Sequence, residues 1–319
     1  VRIMIASNSY LQRLTAELHR KAENIPPSKL AKHKSFILSR QQKDGGFCGR
    51  DLGGDLYYTG FALRSLAIMG ALEPQICDRV AVFLKSQMHS KTSLLDFFSL
   101  IYSAVLVSVG GGPDVFEAHG DWTISVKEFL SGLRRPDGGF AKNPQSQESS
   151  TYMTFLALLC HQLIGNNPAD LHLLESFVMS RSREDGGFVE YSPMRKSGTN
   201  PTAAGYGVLM AISKKELVQD IASKGKAFFT GMLGEEGGFK ANSRIPFCDV
   251  LSTFTSLWSL SDLKGLDLIN LEKVKSYLNI TELPDGGFRG GSWDAGADVE
   301  YTFYGLGALA LVHGMGANS

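Results

Sequence analysis

The chain has no net charge and few cysteines, and each shortage excludes a class of protein. Its 319 residues include 32 Lys and Arg and 32 Asp and Glu, so the formal net charge is zero. Without an overall field to attract nucleic acid or an acidic surface, any anion site has to be local. The four cysteines are far apart, with no C-x-x-C pair, at Cys48, Cys77, Cys160 and Cys248. This spacing disfavours a disulfide scaffold and a zinc module of four thiolates, whereas reduced thiols in a cytoplasm fit it well.

Long apolar runs are missing as well. The most apolar stretch, residues 94–109, contains Asp96 and several serines. It is shorter than the roughly 18 to 20 apolar residues that a membrane span needs. The first residues show no basic segment followed by an apolar one, the pattern of an export signal. We therefore predict a cytoplasmic protein with no membrane span and no nucleic acid partner.

What the sequence has in place of these features is a repeated signature, Asp or Glu followed by Gly-Gly-Phe. The signature ends at Phe47, Phe140, Phe188, Phe239 and Phe288, with intervals of 93, 48, 51 and 49 residues. The first interval is almost twice the others, so we infer that one unit has lost its signature near residues 90–93. Six units of about 50 residues fall in the range where repeats form arrays or closed rings.

Each signature is flanked by two segments of helix length. The segment before it is amphipathic, and the segment after it is apolar or small nearly all round, as in a helix that its neighbours enclose. The enclosed helices are predicted at residues 56–69, 97–109, 150–160, 201–212, 250–260 and 299–312. Their predicted N-caps are Asp55, Asp96, Ser149, Asn200, Asp249 and Asp298. Twelve such helices predict an all-α fold, an (α/α)6 toroid of six helical hairpins, as a single domain over residues 1–319.

In such a toroid all six inner helices begin at one mouth, where their N–H groups and dipoles favour an anion. The loops leading to this mouth are basic, at Arg50, Lys142, Arg195, Lys196, Lys240, Arg244 and Arg289. Aromatic side chains are expected to line the cavity, at Tyr58, Tyr152, Tyr206, Phe254, Trp258, Tyr301 and Tyr304. An anionic head at the mouth and a hydrocarbon tail in the ring would suit a prenyl diphosphate. The plainer alternative is that the rings only fill a core and the charges are solvated.

The signatures and the helices after them resemble the β subunits of protein prenyltransferases, nearest to the Rab geranylgeranyl type. The resemblance rests on "DGGFCGRDLGGDLYYTGFALRSL", "RRPDGGF" and "PDGGFRGGSWDAGADVEYTFYGLGALALV" and runs from about residue 36 to residue 312. It implies an α-α toroid whose central funnel holds an isoprenoid diphosphate. Matching the family's diphosphate cluster adds Arg134 to Arg195, Lys196, Lys240 and Arg244. Because β subunits of this family pair with a helical-repeat α subunit, the expected partners are such a protein or a second copy.

The resemblance breaks at the family's zinc site, which uses an aspartate, a cysteine two residues later and a histidine at the start of the last inner helix. Asp249 matches the aspartate, but Leu251 and Tyr301 occupy the other two positions. Neither leucine nor a phenol replaces a thiolate or an imidazole as a zinc ligand. We therefore expect a divergent or bacterial-type member without zinc or another cofactor. Cys248 and Cys48 leave a shifted site as an alternative.

Three functions stay open from the sequence. The first is an isoprenoid-diphosphate-binding toroid that transfers the prenyl group without a zinc-held thiolate. The second is a toroid without catalysis that binds a lipid or a partner protein. The third is a class II terpene cyclase, because "QQKDGGF" resembles the Q-x-x-D-G-x-W repeat of squalene and related cyclases. The D-x-D-D cluster that supplies the proton in those cyclases does not occur in this chain.

Overall fold

The computed structural model describes residues 9–88 and 93–314, and nearly all regular secondary structure in the described chain is helical. In chain order they are α1 (Tyr10–Ala22), α2 (Pro27–Ser39), α3 (Leu56–Ile68), α4 (Pro74–Ser86), α5 (Leu94–Val109), α6 (Trp122–Leu133), α7 (Thr151–Leu163), α8 (Leu171–Ser180), α9 (Thr199–Ala211), α10 (Lys215–Gly231), α11 (Val250–Asp262), α12 (Leu271–Thr281) and α13 (Val299–His313). Short 3-10 turns lie at Glu117–His119 and Leu266–Leu268.

The odd-numbered helices from α3 to α13 form a closed inner ring. Each contacts the next along the chain, and α13 returns to contact α3. The even-numbered helices from α2 to α12 lie outside and bury one stripe each, as α12 does with Val274, Tyr277, Leu278 and Thr281. This architecture confirms the predicted all-α toroid. None of the helices in the described part of the chain is long and apolar enough to cross a membrane.

The signature after each outer helix is a turn fixed at both ends. At Gly45 the backbone has φ +94°, and a Cβ atom there would lie 2.1 Å from the carbonyl oxygen of Arg79, so only glycine fits. The signature phenylalanine is buried and pairs in antiparallel fashion with the residue that caps the next inner helix. Two of these pairings are short strands, β1 (Phe239–Lys240) with β2 (Cys248–Asp249) and β3 (Phe288–Arg289) with β4 (Ala297–Asp298).

A buried threonine one turn into the inner helix completes each signature. Its hydroxyl accepts the backbone N–H of the signature phenylalanine, at 2.8 Å for Thr59 with Phe47 and at 3.1 Å for Thr302 with Phe288. The same bond is made by Thr154, Thr202 and Thr253. Because the phenylalanine N–H is out of water, this bond satisfies a donor that would otherwise be costly to bury. These threonines were not predicted from the sequence.

The structure confirms three of the six predicted N-caps, Asp55, Asp249 and Asp298, and corrects the other three. Ser93 caps α5, while Asp96 lies in its first turn and its carboxylate accepts the Ser93 hydroxyl. Ser150 caps α7, because the Ser149 hydroxyl donates to Asp137. Gly198 precedes α9 with no side-chain cap, and Asn200 lies inside that helix. One signature was predicted to be lost near residues 90–93. Residues 90–92 of this stretch lie outside the described chain.

Helix α1 closes the end of the ring opposite the mouth. Arg13 forms two bonds, of 2.5 and 2.8 Å, with the Asp262 carboxylate at the end of α11. A ring nitrogen of His19 lies 2.9 Å from the carbonyl oxygen of Ile68 at the end of α3. Both partners are at C-terminal ends of inner helices, so α1 lies across that end as a floor. The repeat gave no sign of this floor, because α1 precedes the first unit.

The ring closes where the last unit meets α2. The Glu282 carboxylate lies 2.6 Å from the Lys29 ammonium and 3.4 Å from His33 Nε2. The other ring nitrogen of His33 accepts the N–H of Gly287 at 3.0 Å, and the imidazole stacks on Phe288. Burial alone would raise the pKa of Glu282, but the bonds from His33 and Lys29 lower that pKa to about 2 from its ordinary 4.5.

Replacement of Glu282 by glutamine should therefore remove an acid-dependent part of the stability. A carboxyl whose pKa is depressed on folding stabilises above its unfolded pKa, and this stability is lost as pH falls from about 5 toward 2. We expect wild type to lose about 2 to 3 kcal/mol more unfolding free energy than Glu282→Gln over that range. Urea unfolding at several pH values measures the difference. The control is Glu184→Gln, an exposed carboxyl that forms no ion pair with any other described residue, and equal pH slopes for all three proteins would contradict the assignment.

Candidate functional site

A cavity of about 340 Å³ lies inside the ring, between the mouth and α1. Its volume falls within the usual range of small-molecule sites. The walls are aromatic and come from the inner helices and the floor helix, with rings of Tyr10, Tyr57, Phe61, Phe98, Tyr152, Phe155, Phe254, Trp258, Phe303 and Tyr304. Such walls offer an apolar guest both burial and ring faces.

The structure places four of the seven predicted lining residues on these walls, Tyr152, Phe254, Trp258 and Tyr304. Tyr206 faces the other way, because its hydroxyl donates to the Ile221 carbonyl at 3.1 Å and its ring lies against Phe188. It fills the space between α9 and α10. Tyr301 borders a separate groove at the mouth, and Tyr58 lies against Gly49 of the first mouth-facing loop.

Three charged side chains that the sequence analysis did not select also line the cavity. The Arg64 guanidinium lies 3.8 Å from the centre of the Phe61 ring and 4.7 Å from that of Phe303. In the described chain it forms no ion pair, and only its Nε–H donates, to the Gly60 carbonyl at 3.2 Å. The sequence did hold a signal, since Arg64 is the one charged residue of α3.

The other two are carboxyls near the mouth. Glu300 accepts the Tyr57 hydroxyl at 2.6 Å, and Glu190 accepts the backbone N–H of Tyr152 at 3.2 Å. Burial raises the pKa of both carboxyls. Together with Arg64 they give a mainly aromatic cavity one cation and two carboxyls of raised pKa.

The mouth is a ring of loops joined to helix starts, and we call residues 48–54, 141–149, 189–197, 240–248 and 289–297 the mouth loops. The first N–H groups of α5, α7, α9 and α11 donate to carbonyls of the next unit's loop, at Lys142, Glu190, Ala241 and Gly290, over 2.8 to 3.2 Å. The cap carboxylates of Asp55, Asp249 and Asp298 accept further N–H groups. The helix starts are therefore less free to bind an anion than the sequence predicted.

Arg50, one of the basic loop residues, is already neutralised. Its guanidinium bonds Asp294 at 2.5 and 2.9 Å and Asp298 at 3.1 Å. The bond from Arg50 lowers the pKa of Asp294 to about 2. This sector of the mouth is thus acidic and internally paired, so it is a poor place for a diphosphate.

The start of α9 differs, because its cap is a glycine and basic residues from two loops meet there. Arg195 and Lys196 lie three and two residues before this glycine cap. The loop with Lys240 and Arg244 is bound to the helix start through Thr199, whose hydroxyl donates to the Lys240 carbonyl at 2.5 Å. None of the four basic side chains forms an ion pair within the described residues, and all but Lys240 are exposed.

Arg134 does not join this cluster. Its guanidinium donates to the carbonyls of Ala169 and Asp170, at the connection from α7 to α8. A carbonyl oxygen can accept more than one hydrogen bond, and the planar guanidinium fork can bond both carbonyls at once. Arg134 was expected to bind phosphate because it matches a family position. The two carbonyls that bind it instead could not be inferred from that match.

The residues at the family's zinc position do not fit zinc. The Asp249 carboxylate accepts both the N–H and the hydroxyl of Ser252, at 2.6 and 2.8 Å. Burial raises the pKa of Tyr301 to about 12 and that of Cys248 to about 11, so both keep their protons near neutrality. Over residues 9–88 and 93–314, no three His, Cys, Asp or Glu side chains are grouped to hold a metal ion.

We expect the wild-type protein to retain well below one equivalent of zinc after dialysis against the metal. The double variant Leu251→Cys with Tyr301→His adds the missing thiol and imidazole beside Asp249 and should bind about one equivalent. Metal analysis of the dialysed proteins measures this, with Leu251→Cys alone as the matched control. One tightly held zinc in wild type would show that the donor set has been misjudged.

The sequence matches a known protein family that has this fold. Residues 28–85, 101–223 and 202–318 match the sequence model of the prenyltransferase alpha-alpha toroid domain. No curated protein matches the sequence. The three matched segments cover most of the chain, including five inner helices in full and the second half of α5.

Among solved structures, the fold is similar to Candida albicans protein geranylgeranyltransferase-I complexed with GGPP, at TM-score 0.69 and 17% identity over 88% of this chain and 90% of that one. The type II terpene cyclase MstE from Scytonema gives TM-score 0.60 and 12% identity over 95% and 98%. An inactive variant of an α-1,6-mannanase from Salegentibacter, complexed with α-1,6-mannotriose, gives 0.53 and 9% over 95% and 99%. At these identities the likeness shows the fold alone.

Proposed function

Because this chain belongs to the prenyltransferase alpha-alpha toroid family, we propose that it binds an isoprenoid diphosphate in its ring. The hydrocarbon tail lies in the central cavity, and the diphosphate lies at the start of α9. The observation that carries the proposal is an aromatic cavity that opens beside four unpaired basic side chains. The Candida enzyme of the same fold was solved with GGPP, which supports a ligand of this class.

The cavity and the basic cluster are connected through α9. Asn200, Ala203 and Ala204 of this helix line the cavity, and Asn200 also borders the groove at the mouth. A chain that enters beside Asn200 therefore passes from the basic loops into the aromatic ring. The small side chains of Ala203 and Ala204 leave room for it, since larger residues there would narrow the entrance.

The same arrangement suits transfer of the prenyl group to an acceptor other than a zinc-held thiolate. In that step the carbon–oxygen bond to the diphosphate breaks, and the diphosphate leaves with the electron pair. The acceptor's nucleophilic atom bonds the allylic carbon and releases its proton to solvent or a carboxylate. Lys240 and Arg244 would stabilise the leaving diphosphate, and the ring faces of Phe254 and Tyr304 would stabilise positive charge on carbon.

The other expected partner is a second protein. By analogy with family β subunits, we propose a helical-repeat α-like subunit or, as the alternative, a second copy of this chain. The same geometry also suits a toroid without catalysis that only binds a lipid or such a partner. Measurable binding of the ligand without turnover would favour this alternative.

Calorimetry with farnesyl and geranylgeranyl diphosphate tests the central proposal. We expect binding at tens of micromolar or tighter, and a loss of at least about tenfold in Lys240→Ala with Arg244→Ala, since each charged contact is worth about 1.5 to 3 kcal/mol. Geranylgeraniol, which lacks the diphosphate, should bind that variant as it binds wild type.

The matched control removes two exposed lysines on outer helices, Lys127→Ala with Lys215→Ala, and should bind like wild type. The proposal fails if wild type binds neither diphosphate at these concentrations. It also fails if both double variants lose affinity equally, because the effect would then come from net charge.

A second candidate function is cyclisation of an isoprenoid, and the carboxyls of Glu190 and Glu300 favour it. Their raised pKa increases the fraction of each carboxyl that carries a proton near neutrality, inside an aromatic cavity. In that chemistry a carboxyl gives its proton to a terminal alkene carbon, and the tertiary cation that results is attacked by the next double bond. The final cation then returns a proton to a base, so the product is an isomer of the substrate.

Product analysis separates the two candidates. We expect geranylgeranyl diphosphate to be recovered unchanged by mass spectrometry and chromatography when no acceptor is present. A cyclic isomer of the same mass, formed by wild type and lost in Glu300→Gln, would show instead that the protein is a cyclase. Glu184→Gln, exposed on the outside, is the control for each sample.

A further inference from the structure

Large hydrophobic side chains are unusually exposed around the mouth. Half of the twelve that are exposed among the described residues lie on the mouth loops. We call five of them, from three neighbouring loops, the rim patch: Tyr191, Met194, Ile245, Phe247 and Trp293. Phe247 and Trp293 are 54% and 57% exposed, although folding buries most aromatic rings. An apolar cluster at one opening marks an interaction surface more often than chance exposure does.

The rim patch lies beside unpaired positive charge. Residues 189–197 and 240–248 carry Arg195, Lys196, Lys240 and Arg244 against one acidic residue, Glu190, whose carboxyl lines the cavity. Met194 directly precedes Arg195, and Ile245 directly follows Arg244. In a chain with no net charge, this sector is therefore both the apolar and the basic part of the mouth.

The rim patch also leads into the central cavity. Ile245, Phe247 and Trp293 line a groove of about 350 Å³ together with Asn200 and Leu251. Asn200 and Leu251 belong to the wall of the central cavity too. The groove and the cavity are therefore continuous at Asn200 and Leu251, so a molecule that enters past the rim patch has a direct route into the ring.

From these three features we infer that the rim patch docks on a lipid bilayer that contains anionic phospholipid. The apolar side chains enter the interface, and Arg195, Lys196 and Arg244 contact the headgroup phosphates. Tyrosine and tryptophan prefer this depth, because their rings have one apolar and one polar side. Basic residues near an anionic leaflet add an attraction that falls with salt. The inference goes beyond the proposed function, since docking requires no isoprenoid.

A bilayer fits the patch better than a folded partner protein does. The apolar side chains sit on separate loops with charges directly next to them, whereas the core of a protein interface is depleted of charge. The opening beneath them leads to a cavity for a hydrocarbon chain. Docking would place that opening against the phase in which long isoprenoid chains dissolve.

Vesicle binding by the full chain tests the inference. We expect co-sedimentation with vesicles of phosphatidylcholine and phosphatidylglycerol, and at least about tenfold less with phosphatidylcholine alone or at high salt. Phe247→Ser with Trp293→Ser and, separately, Arg195→Glu with Lys196→Glu should each lower the bound fraction at least about tenfold.

The matched control exchanges two exposed residues at the end of the ring opposite the mouth, Val109→Ser with Leu268→Ser, which are 65% and 56% exposed, and should bind like wild type. Trp122 and Trp258 are buried, so quenching of fluorescence by brominated lipid reports mainly on Trp293. No vesicle binding by folded protein would overturn the inference, as would equal binding to neutral and anionic vesicles. Self-association through the rim patch without vesicle binding, seen by light scattering, would overturn it in favour of a second copy.

Discussion

Closure of the inner-helix ring is the constraint on which the cavity, the mouth and the loops all depend. Helix α13 has to return against α3, and the last signature has to pack on α2. The contact is polar as well as apolar, since His33 bonds the Gly287 backbone while it stacks on Phe288. An open array of the same units would leave one side of the cavity in water and would separate the loops that now form one mouth.

Inside the closed ring, the same two hydrogen bonds recur in successive units, and they fix the position of the mouth loops. The signature phenylalanine bonds a threonine of its own inner helix, while the loop that follows bonds the helix start of the preceding unit. Both ends of each mouth loop are therefore fixed, but the residues between them are free to vary. The same loop framework therefore carries an acidic sector, where Asp294 and Asp298 pair with Arg50, and a basic sector near the start of α9.

The sequence predicted the fold because its information was periodic, and it predicted the site poorly because the site is not. Glycine, phenylalanine and apolar faces recur in every unit, and a period of about 50 residues determines the ring. The caps of α5 and α7 were misplaced because each start offers two residues of cap type, Ser93 and Asp96 for α5 and Ser149 and Ser150 for α7, and only geometry decides which one bonds the helix. Helix α1, which forms the floor, lies outside the repeat and had no counterpart from which to infer it.

The orientation and the partners of single side chains were the hardest features to predict from the sequence. Tyr206 and Tyr304 both lie on inner helices among small residues, yet a rotation about the helix axis turns one outward and the other into the cavity. Arg134 matched a family position, but its guanidinium donates to the carbonyls of Ala169 and Asp170. Partners of this kind come from other units, so no local pattern in the sequence contains them.

The central claim is that a hydrocarbon chain lies in the ring with its diphosphate at the start of α9. A crystal structure of the protein with geranylgeranyl diphosphate tests this claim most directly. The account predicts a tail in contact with Phe254 and Tyr304, and phosphate oxygens within hydrogen-bond distance of Lys240 or Arg244. A diphosphate bound instead at Arg64 inside the ring, or a ligand found only outside the cavity, would contradict it.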